Sequence, residues 1–355
     1  MRNVAIAGCG VAGLATAALL RQQGVEVVIY DRLSTPRPIG SGLILQPVGL
    51  YVLDRIGIGD VLRQRGARIE RLYGKVAPSQ RVVLDVRYNA LGAAALTGVG
   101  VHRGALFQTL FDAAKAAGAG FEPKCDVVAV EDGRLRFADG RVSAKFDLAI
   151  DALGARSPLS RAPNAPLPFG ALWASLDWAG GFDPCALEQR YERARKMVGV
   201  LPIGKTRADG PNQAAFFWSL KHADRGAWAA GDLDAWKQSV LALWPETAPL
   251  LAQIARHEDL VFAAYAHRTL RDPVSRHVVH VGDSWHCTSP QLGQGANMAL
   301  LDALALTEAL KRQSNLDAAL GEYARTRLWH IRLYQAASYL FTPAYQSDSA
   351  AIAWL

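Results

Sequence analysis

Cysteine is scarce. The 355 residues hold four (Cys9, Cys125, Cys185 and Cys287), and no two stand at CxxC spacing. That argues against a disulfide framework or a zinc knuckle and fits a reducing compartment. Long apolar runs are scarce too: apart from the uncharged stretch near the N-terminus, no stretch approaches the ~20 apolar residues of a membrane span. Internal repeats and low-complexity tracts are absent, and no Ser/His/Asp or metal-ligand constellation stands out. Positive charge exceeds negative only modestly, with 39 Lys plus Arg against 32 Asp plus Glu, or +7. Dispersed along the chain, that surplus does not make a nucleic-acid binder, but it suits a protein that holds anionic phosphates.

What is present belongs to a folded protein: 50% apolar and 20% charged residues give enough apolar surface to offset chain entropy. At roughly 150 residues per domain the length suggests two domains. Met1-Arg2-Asn3 followed by the uncharged stretch Val4 to Leu20 mimics a secretory signal. Gly8, Gly10 and Gly13 inside that stretch point instead to a glycine turn. The chain is therefore expected to be soluble and cytoplasmic.

Val4 to Ala7 reads as a buried parallel strand. A helix from about Val11 to Gln23 follows, stopped by Gly24, and Val25 to Tyr30 is a second strand ending on Asp31. Amphipathic helices are expected around Leu50 to Leu62, broken by Gly57 and Gly59, and after Arg103, with Leu106, Phe107, Leu110 and Phe111 on one face. Between Phe121 and Ile150 the turns Asp132-Gly133 and Asp139-Gly140 suggest a three-stranded antiparallel meander. Pro158 to Pro168 holds four prolines and marks a linker or domain crossing. An aromatic-rich, strand-forming region follows to about Leu270, with a helix near Asp234 to Trp244. The strand Val278 to Val281 and two long helices, roughly Asn297 to Arg312 and Leu316 to Leu340, close the chain.

Gly8-Cys9-Gly10-Val11-Ala12-Gly13 is GxGxxG between a strand and a helix. The first glycine permits the tight turn, the second lets backbone approach a pyrophosphate, and the third allows close helix–strand packing. Phosphates then sit against the unpaired N–H groups at the helix start. Asp31, eighteen residues beyond Gly13, can accept from ribose hydroxyls, with Arg32 beside it. The motif alone does not separate NAD from FAD.

A second stretch does. Val278-Val279-His280-Val281-Gly282-Asp283 is followed by Pro290-Gln291-Leu292-Gly293-Gln294-Gly295-Ala296-Asn297, which runs into a helix carrying Asp302. Here the sequence resembles the para-hydroxybenzoate hydroxylase-like FAD monooxygenases, whose signature is a strand, GD, a nearby His, then P-x-x-G-Q-G-x-N. The resemblance covers nearly the whole chain. It implies that Asp283 binds the ribityl chain and that Pro290, Leu292, Gly293 and Asn297 lie along the isoalloxazine, with Gly295 and Ala296 at the helix start. Val101-His102-Arg103 with Leu106 looks like the family's arginine motif, in which the Arg reaches FAD. The middle motif departs from the family. Gly154, Ser157 and Arg161 match, but Leu153 stands where an Asp is expected, with Asp151 two residues earlier. That bears on NADPH use more than on FAD binding.

The implied fold is α/β. A Rossmann-like FAD-binding domain of the glutathione-reductase type (1–75, 100–168 and 273–355) lies under a mostly β substrate domain (76–99 and 169–272). The implied chemistry is monooxygenation by a flavin hydroperoxide, with NADPH or NADH as donor, dioxygen, and a small, electron-rich aromatic substrate. Pro290 and Gly293 would form the ring environment, with no side-chain nucleophile and no metal. A reductase of the same fold without oxygen transfer is the alternative. His286 is expected to be a structural hydrogen-bonder. The aromatics from Trp173 to Trp218, with Tyr265 and His267, are either pocket lining or core. Neither a nucleic-acid partner nor a membrane span is expected, and the protein would be a monomer or homodimer.

Overall fold

Val4, Ala5, Ile6 and Ala7 are all buried. A strand covered on both faces belongs in the middle of a parallel sheet. The computed structural model describes residues 3–35, 41–92, 96–160, 165–207, 209–275 and 278–348, so Arg161 and the middle of the proline-rich segment lie outside it. In it β1 (Asn3–Ala7) runs parallel between β2 (Glu26–Tyr30) and β11 (Leu148–Asp151). β8 (Gly120–Glu122) extends the sheet beyond β2, β18 (Val278–His280) extends it beyond β11, and β17 (Val274–Ser275) adds an antiparallel edge. α1 (Val11–Gln22) links β1 to β2, and Gly24 follows at φ +79°.

Successive side chains of β1 point to opposite faces. Val4 and Ile6 join a core with α1, α2 (Pro47–Ile56), α3 (Gly59–Arg65), α4 (Arg103–Ala116) and α8 (Gly295–Arg312). Ala5 and Ala7 pack instead against the hairpin of β9 (Val127–Glu131) and β10 (Arg134–Phe137). The meander expected over Phe121 to Ile150 does not form. Phe121 lies in β8, drawn into the parallel sheet by pairing with β2 and by its edge contact with Phe111 of α4 at 5.7 Å. Asp132-Gly133 does turn the hairpin, with φ of 49° and 74°. Beyond Asp139-Gly140 there follows an isolated bridge between Arg136 and Val142.

A second sheet of eight strands has the order β19-β16-β12-β15-β14-β13-β5-β6. Its members are β5 (Arg71–Val76), β6 (Val82–Arg87), β12 (Ala165–Asp177), β13 (Ala186–Glu192), β14 (Lys196–Lys205), β15 (Asn212–Lys221), β16 (Val261–Thr269) and β19 (His286–Cys287). The boundary expected between 75 and 76 falls at the last residue of β5. That strand pairs along its length with β13, so it belongs to this sheet. The outer face, with Leu172, Val198, Phe216 and Trp218, is closed by α6 (Leu233–Leu243) and α7 (Ala248–Leu251), after the short α5 (Arg225–Ala230). The inner face looks toward the small sheet of β3 (Gly42–Leu45), β7 (Gly98–His102) and β4 (Ala67–Ile69), where Ile44 and Ile69 meet Leu201 and Ile203. α9 (Leu316–Tyr345) packs across α8 and runs on to the second sheet, where Gln346 donates to Gly170 O at 3.1 Å. Among the described residues no helix is long and apolar enough to cross a membrane.

Phe216 is fully buried and meets Trp236 edge-on at 6.3 Å. Phe216→Ala should cost about 3–5 kcal/mol through the cavity it leaves, read as a lower urea midpoint for the tryptophan-rich second sheet. A loss below 1 kcal/mol would mean that the site collapses freely.

Candidate functional site

The strands β1, β2, β11 and β18 run parallel, so their carboxyl ends open on one edge. Gly8, Asp31 and Asp283 follow those ends, and Asp151 is the last residue of β11.

The three glycines of the first loop sit in different surroundings. At Gly8, φ is +107° and a Cβ would lie 2.4 Å from Ala152 O. At Gly13 it would lie 2.1 Å from Gly8 O, whereas at Gly10 nothing stands within 4 Å. The outer two are packing glycines; the middle one faces open space. No side chain caps the start of α1, so its first N–H groups remain free for an anion. Val11 is half-buried there and Ala12 is buried. Asp31 braces the loop, accepting from Cys9 N at 2.8 Å and Leu33 N at 2.9 Å, and a carboxylate so placed retains further lone pairs. Arg32 beside it is exposed. Burial, then the Asp31 charge, pushes the Cys9 thiol up to about 12, so it stays protonated.

The second loop has the same character. Gly293 has φ +62° and open space where a Cβ would be, as has Gly295. The first turn of α8, with Gly295 and Ala296, also lacks a side-chain cap. Pro290 is exposed, and Leu292 and Gly293 are half-buried. The side chain of Asn297 is turned into the protein. It is fully buried, its Oδ1 accepts from Gln46 N at 2.8 Å, and its amide donates to Ile44 O and Gly293 O. With every polar atom committed, it staples this loop to β3.

Asp283 is open to solvent yet surrounded by protein, as at the floor of a cleft. Desolvation there raises its carboxyl pKa, against the charges of His286 and Arg103. Arg103 is exposed at the first position of α4, and its field also reaches Tyr265 of β16. Asp283, after the parallel sheet, and Tyr265, on β16, therefore both lie within the field of Arg103. Trp173 donates to the Tyr265 hydroxyl at 3.0 Å, and its ring lies 4.6 Å from Phe217. Strand parity thus divides the aromatic region. Trp173, half-buried, and Phe217, buried with Tyr191 and Met197, lie on the inner face, while Phe216 and Trp218 pack on the outer one.

Asp151 does not replace the missing Asp at 153. It is fully buried, accepts from Ser157 Oγ at 2.5 Å and Leu153 N at 3.0 Å, and meets His280 Nδ1 at 2.8 Å. Leu153 packs against the hairpin core. His286 is structural, with its Nε2 2.6 Å from Asp302.

Free helix starts at both loops, a glycine-lined approach and a buttressed acid at each end suit a dinucleotide whose ring lies between the loops and the aromatic wall. Residues 1–159 match the family model described as FAD binding domain. The chain is 24% identical to the FAD-dependent urate hydroxylase of Klebsiella pneumoniae, over 92% of this chain and 86% of that protein. It is 28% identical to 3-amino-4-hydroxybenzoate 2-monooxygenase of Streptomyces cremeus, over 92% and 83%. The fold matches the tetrameric form of 2-methyl-3-hydroxypyridine-5-carboxylic acid oxygenase with a TM-score of 0.84 at 23% identity, covering 99% of this chain and 95% of that one. The protein is a flavin-dependent oxidoreductase. More particularly, it is similar along nearly its whole length to FAD-dependent monooxygenases.

Two groups of residues escape the sequence motifs. Asp302, fully buried in α8, accepts from Gly282 N at 2.9 Å and Arg327 Nε at 2.8 Å besides His286, and so fixes the turn that presents Asp283. Burial raises its pKa, but His286 and Arg327 outweigh that and hold it below the ordinary carboxylate value. A single acid inside the apolar run Met298 to Leu306 was the available signal. The end of α9 is the second group. Ser289 Oγ meets Thr342 Oγ1 at 2.8 Å, and Gln291 donates to Gln346 at 2.7 Å. It carries no sequence signal, because these contacts are long-range.

Gly10→Ala should fold normally and lose flavin, whereas Gly13→Ala should lower stability by roughly 1–3 kcal/mol through overpacking; flavin content and melting temperature separate the two. His102 Nδ1 accepts from Gly104 N at 2.9 Å, a bond only the unprotonated ring makes, and burial lowers its pKa below the ordinary 6.5. The unfolded chain takes that proton first, so this stability is complete above pH ~6.5 and lost as pH falls toward the lower folded value. His102→Asn keeps a cap acceptor without the titration. Its melting temperature should fall less between pH 7 and 5 than the wild type's; equal slopes would remove His102 as the cause.

Proposed function

We propose that the cleft between the two sheets hydroxylates a small, electron-rich aromatic compound, with NADPH or NADH as electron donor, in the cytoplasm. The observation that carries this reading is the pair of uncapped helix starts at the two glycine loops, with the half-buried Trp173 on the inner face of the second sheet. In this reading the N–H groups of Gly10, Val11 and Ala12 hold the pyrophosphate, with Gly8 and Gly13 shaping the turn. Asp31 takes the ribose hydroxyls beside Arg32, and Arg103 neutralises phosphate charge. Asp283 accepts from the ribityl chain. Pro290, Leu292 and Gly293 lie along the isoalloxazine, and the N–H groups of Gly295 and Ala296 face the ring edge that becomes negative on reduction.

Bound FAD, once reduced, supplies activated dioxygen from which one oxygen atom goes to the substrate and the other leaves as water. The chain's own part is to place the substrate and exclude bulk water. Trp173, half-buried, offers a flat apolar face on which an aromatic ring stacks. Tyr265 already accepts a hydrogen bond from Trp173 Nε1, so its own O–H is free to donate to a ring substituent. Burial raises the Tyr265 pKa, keeping that proton in place. The aromatic substrates named for the two curated relatives support this class. The domain division follows the sheets: the parallel sheet and its helices carry FAD, and the eight-stranded sheet carries the substrate side.

The test is anaerobic titration of the holoprotein with NADPH and then NADH, followed by air. Bleaching of the flavin absorbance and recovery with oxygen transfer to an added hydroxylated aromatic acid is expected. Trp173→Ala should raise the substrate KM at least tenfold with flavin content unchanged. Flavin that stays oxidised with both donors, with and without aromatic compounds, would sink the nicotinamide part. Absence of bound flavin would sink the whole reading.

A further inference from the structure

α9 carries a seam of apolar residues that is exposed among the described residues. Trp329, Leu333, Tyr339 and Leu340 are 74%, 72%, 74% and 74% exposed, whereas no large apolar side chain outside α9 among the described residues exceeds the 53% of Tyr51. Trp329, Leu333, Ala336 and Leu340 recur at spacings of four, three and four, the period of a helix–helix seam. They lie opposite Ile331 and Ser338, which α9 buries against its own protein. At these exposures the four large side chains present roughly 600 Å² of apolar surface. That is at the upper limit for a monomer and about three quarters of the ~800 Å² that each partner contributes to a standard interface.

We infer that this face is a two-fold dimer interface, in which α9 of one copy packs antiparallel on α9 of a second copy about Ala336. The sequence of the seam is self-complementary about that point. Ala336 is small, so the helices approach closely at the centre. Residues equally spaced on either side then meet: Leu333 opposite Tyr339 of the second copy, and Trp329 opposite Pro343. Each side supplies what the other needs, as an isologous contact requires. Between Tyr323 and Tyr345 the helix carries no acidic residue, and Arg325 and Arg332 are the exposed cations of this face. Antiparallel packing sets each Arg332 beside Leu340 of the other copy. The two Arg332 side chains are then separated by eight residues of helix rise, about 12 Å, beyond the ~10 Å screening length at 0.1 M salt. A helix lying on a membrane is rich in Lys and Arg along its polar face, and two cations do not make such a face. The last turns of α9 also hold Ser289 and Gln291 beside the second glycine loop, so the interface would lie one helix width from the cleft.

Sedimentation velocity of the holoprotein from 1 to 100 µM should give twice 38.3 kDa. Leu333→Glu should shift it to a single copy with flavin content unchanged. Across a two-fold axis the Ala336 Cα atoms of helices 8–10 Å apart come to about 5 Å, within disulfide reach. Ala336→Cys should therefore cross-link to itself under mild oxidation. Arg325→Cys, about 33 Å from its counterpart in this register, should not, and neither should the parent protein with its own four cysteines. A larger assembly that cross-links through Ala336→Cys supports the same contact. A single copy at 100 µM, an assembly that survives Leu333→Glu, or absence of the Ala336→Cys cross-link overturns it. A single copy that sediments with phosphatidylglycerol vesicles overturns it too and assigns the face to a membrane.

Discussion

Parallel strands leave their carboxyl ends on one side of a sheet, and the helices that follow begin there with backbone N–H groups that no intrahelical carbonyl can reach. In this protein that constraint organises everything around the cleft. β1 hands over to α1 at the first glycine loop, and β18 leads through Asp283 and the second glycine loop to α8. Neither helix start has a side-chain cap. Two helix starts without side-chain caps thus follow strands separated only by β11, and a long anionic cofactor would suit both.

Holding that edge in place falls to buried polar groups. Asp302 sits in an apolar helix, where a bare carboxylate would be strongly destabilised. His286, Arg327 and the Gly282 amide surround it, and the three bonds tie α8, α9 and the Asp283 turn into one unit. Asp151 does the same between β11, the Ser157 turn and His280. Asn297 joins the second loop to β3. Each is a polar residue whose side chain is consumed inside the protein, which leaves the cleft itself to backbone groups, Arg103 and Asp283.

The second sheet contributes by parity. Adjacent residues such as Phe216 and Phe217 have the same chemistry but opposite fates, one packed on Trp236 and the other beside Trp173. The end of α9 then bridges this sheet to the second glycine loop through Gln346, which contacts both Gln291 and Gly170.

Much of this was legible in the chain itself. The β1–α1–β2 unit, the glycine roles, Asp31, the second loop and the closing helices are local patterns, and local patterns follow from turn stereochemistry and from the N–H groups a helix start exposes. The structural role of His286 was legible for the same reason. Other features depended on which segments meet across hundreds of residues. β8 joined the parallel sheet instead of a meander because β2 offered it an edge. Asn297 turned inward because the backbone of β3 arrived beside it, and Asp151 because His280 did. The division of the aromatics between the inner and outer faces of the second sheet needed the strand register, which no composition encodes. Sequence by itself determined the glycine turns and the helix starts that follow them, since those depend on backbone within a few residues of a motif. Tertiary structure alone decided which side chains remain free to act, because a polar group is available only when no distant partner has claimed it.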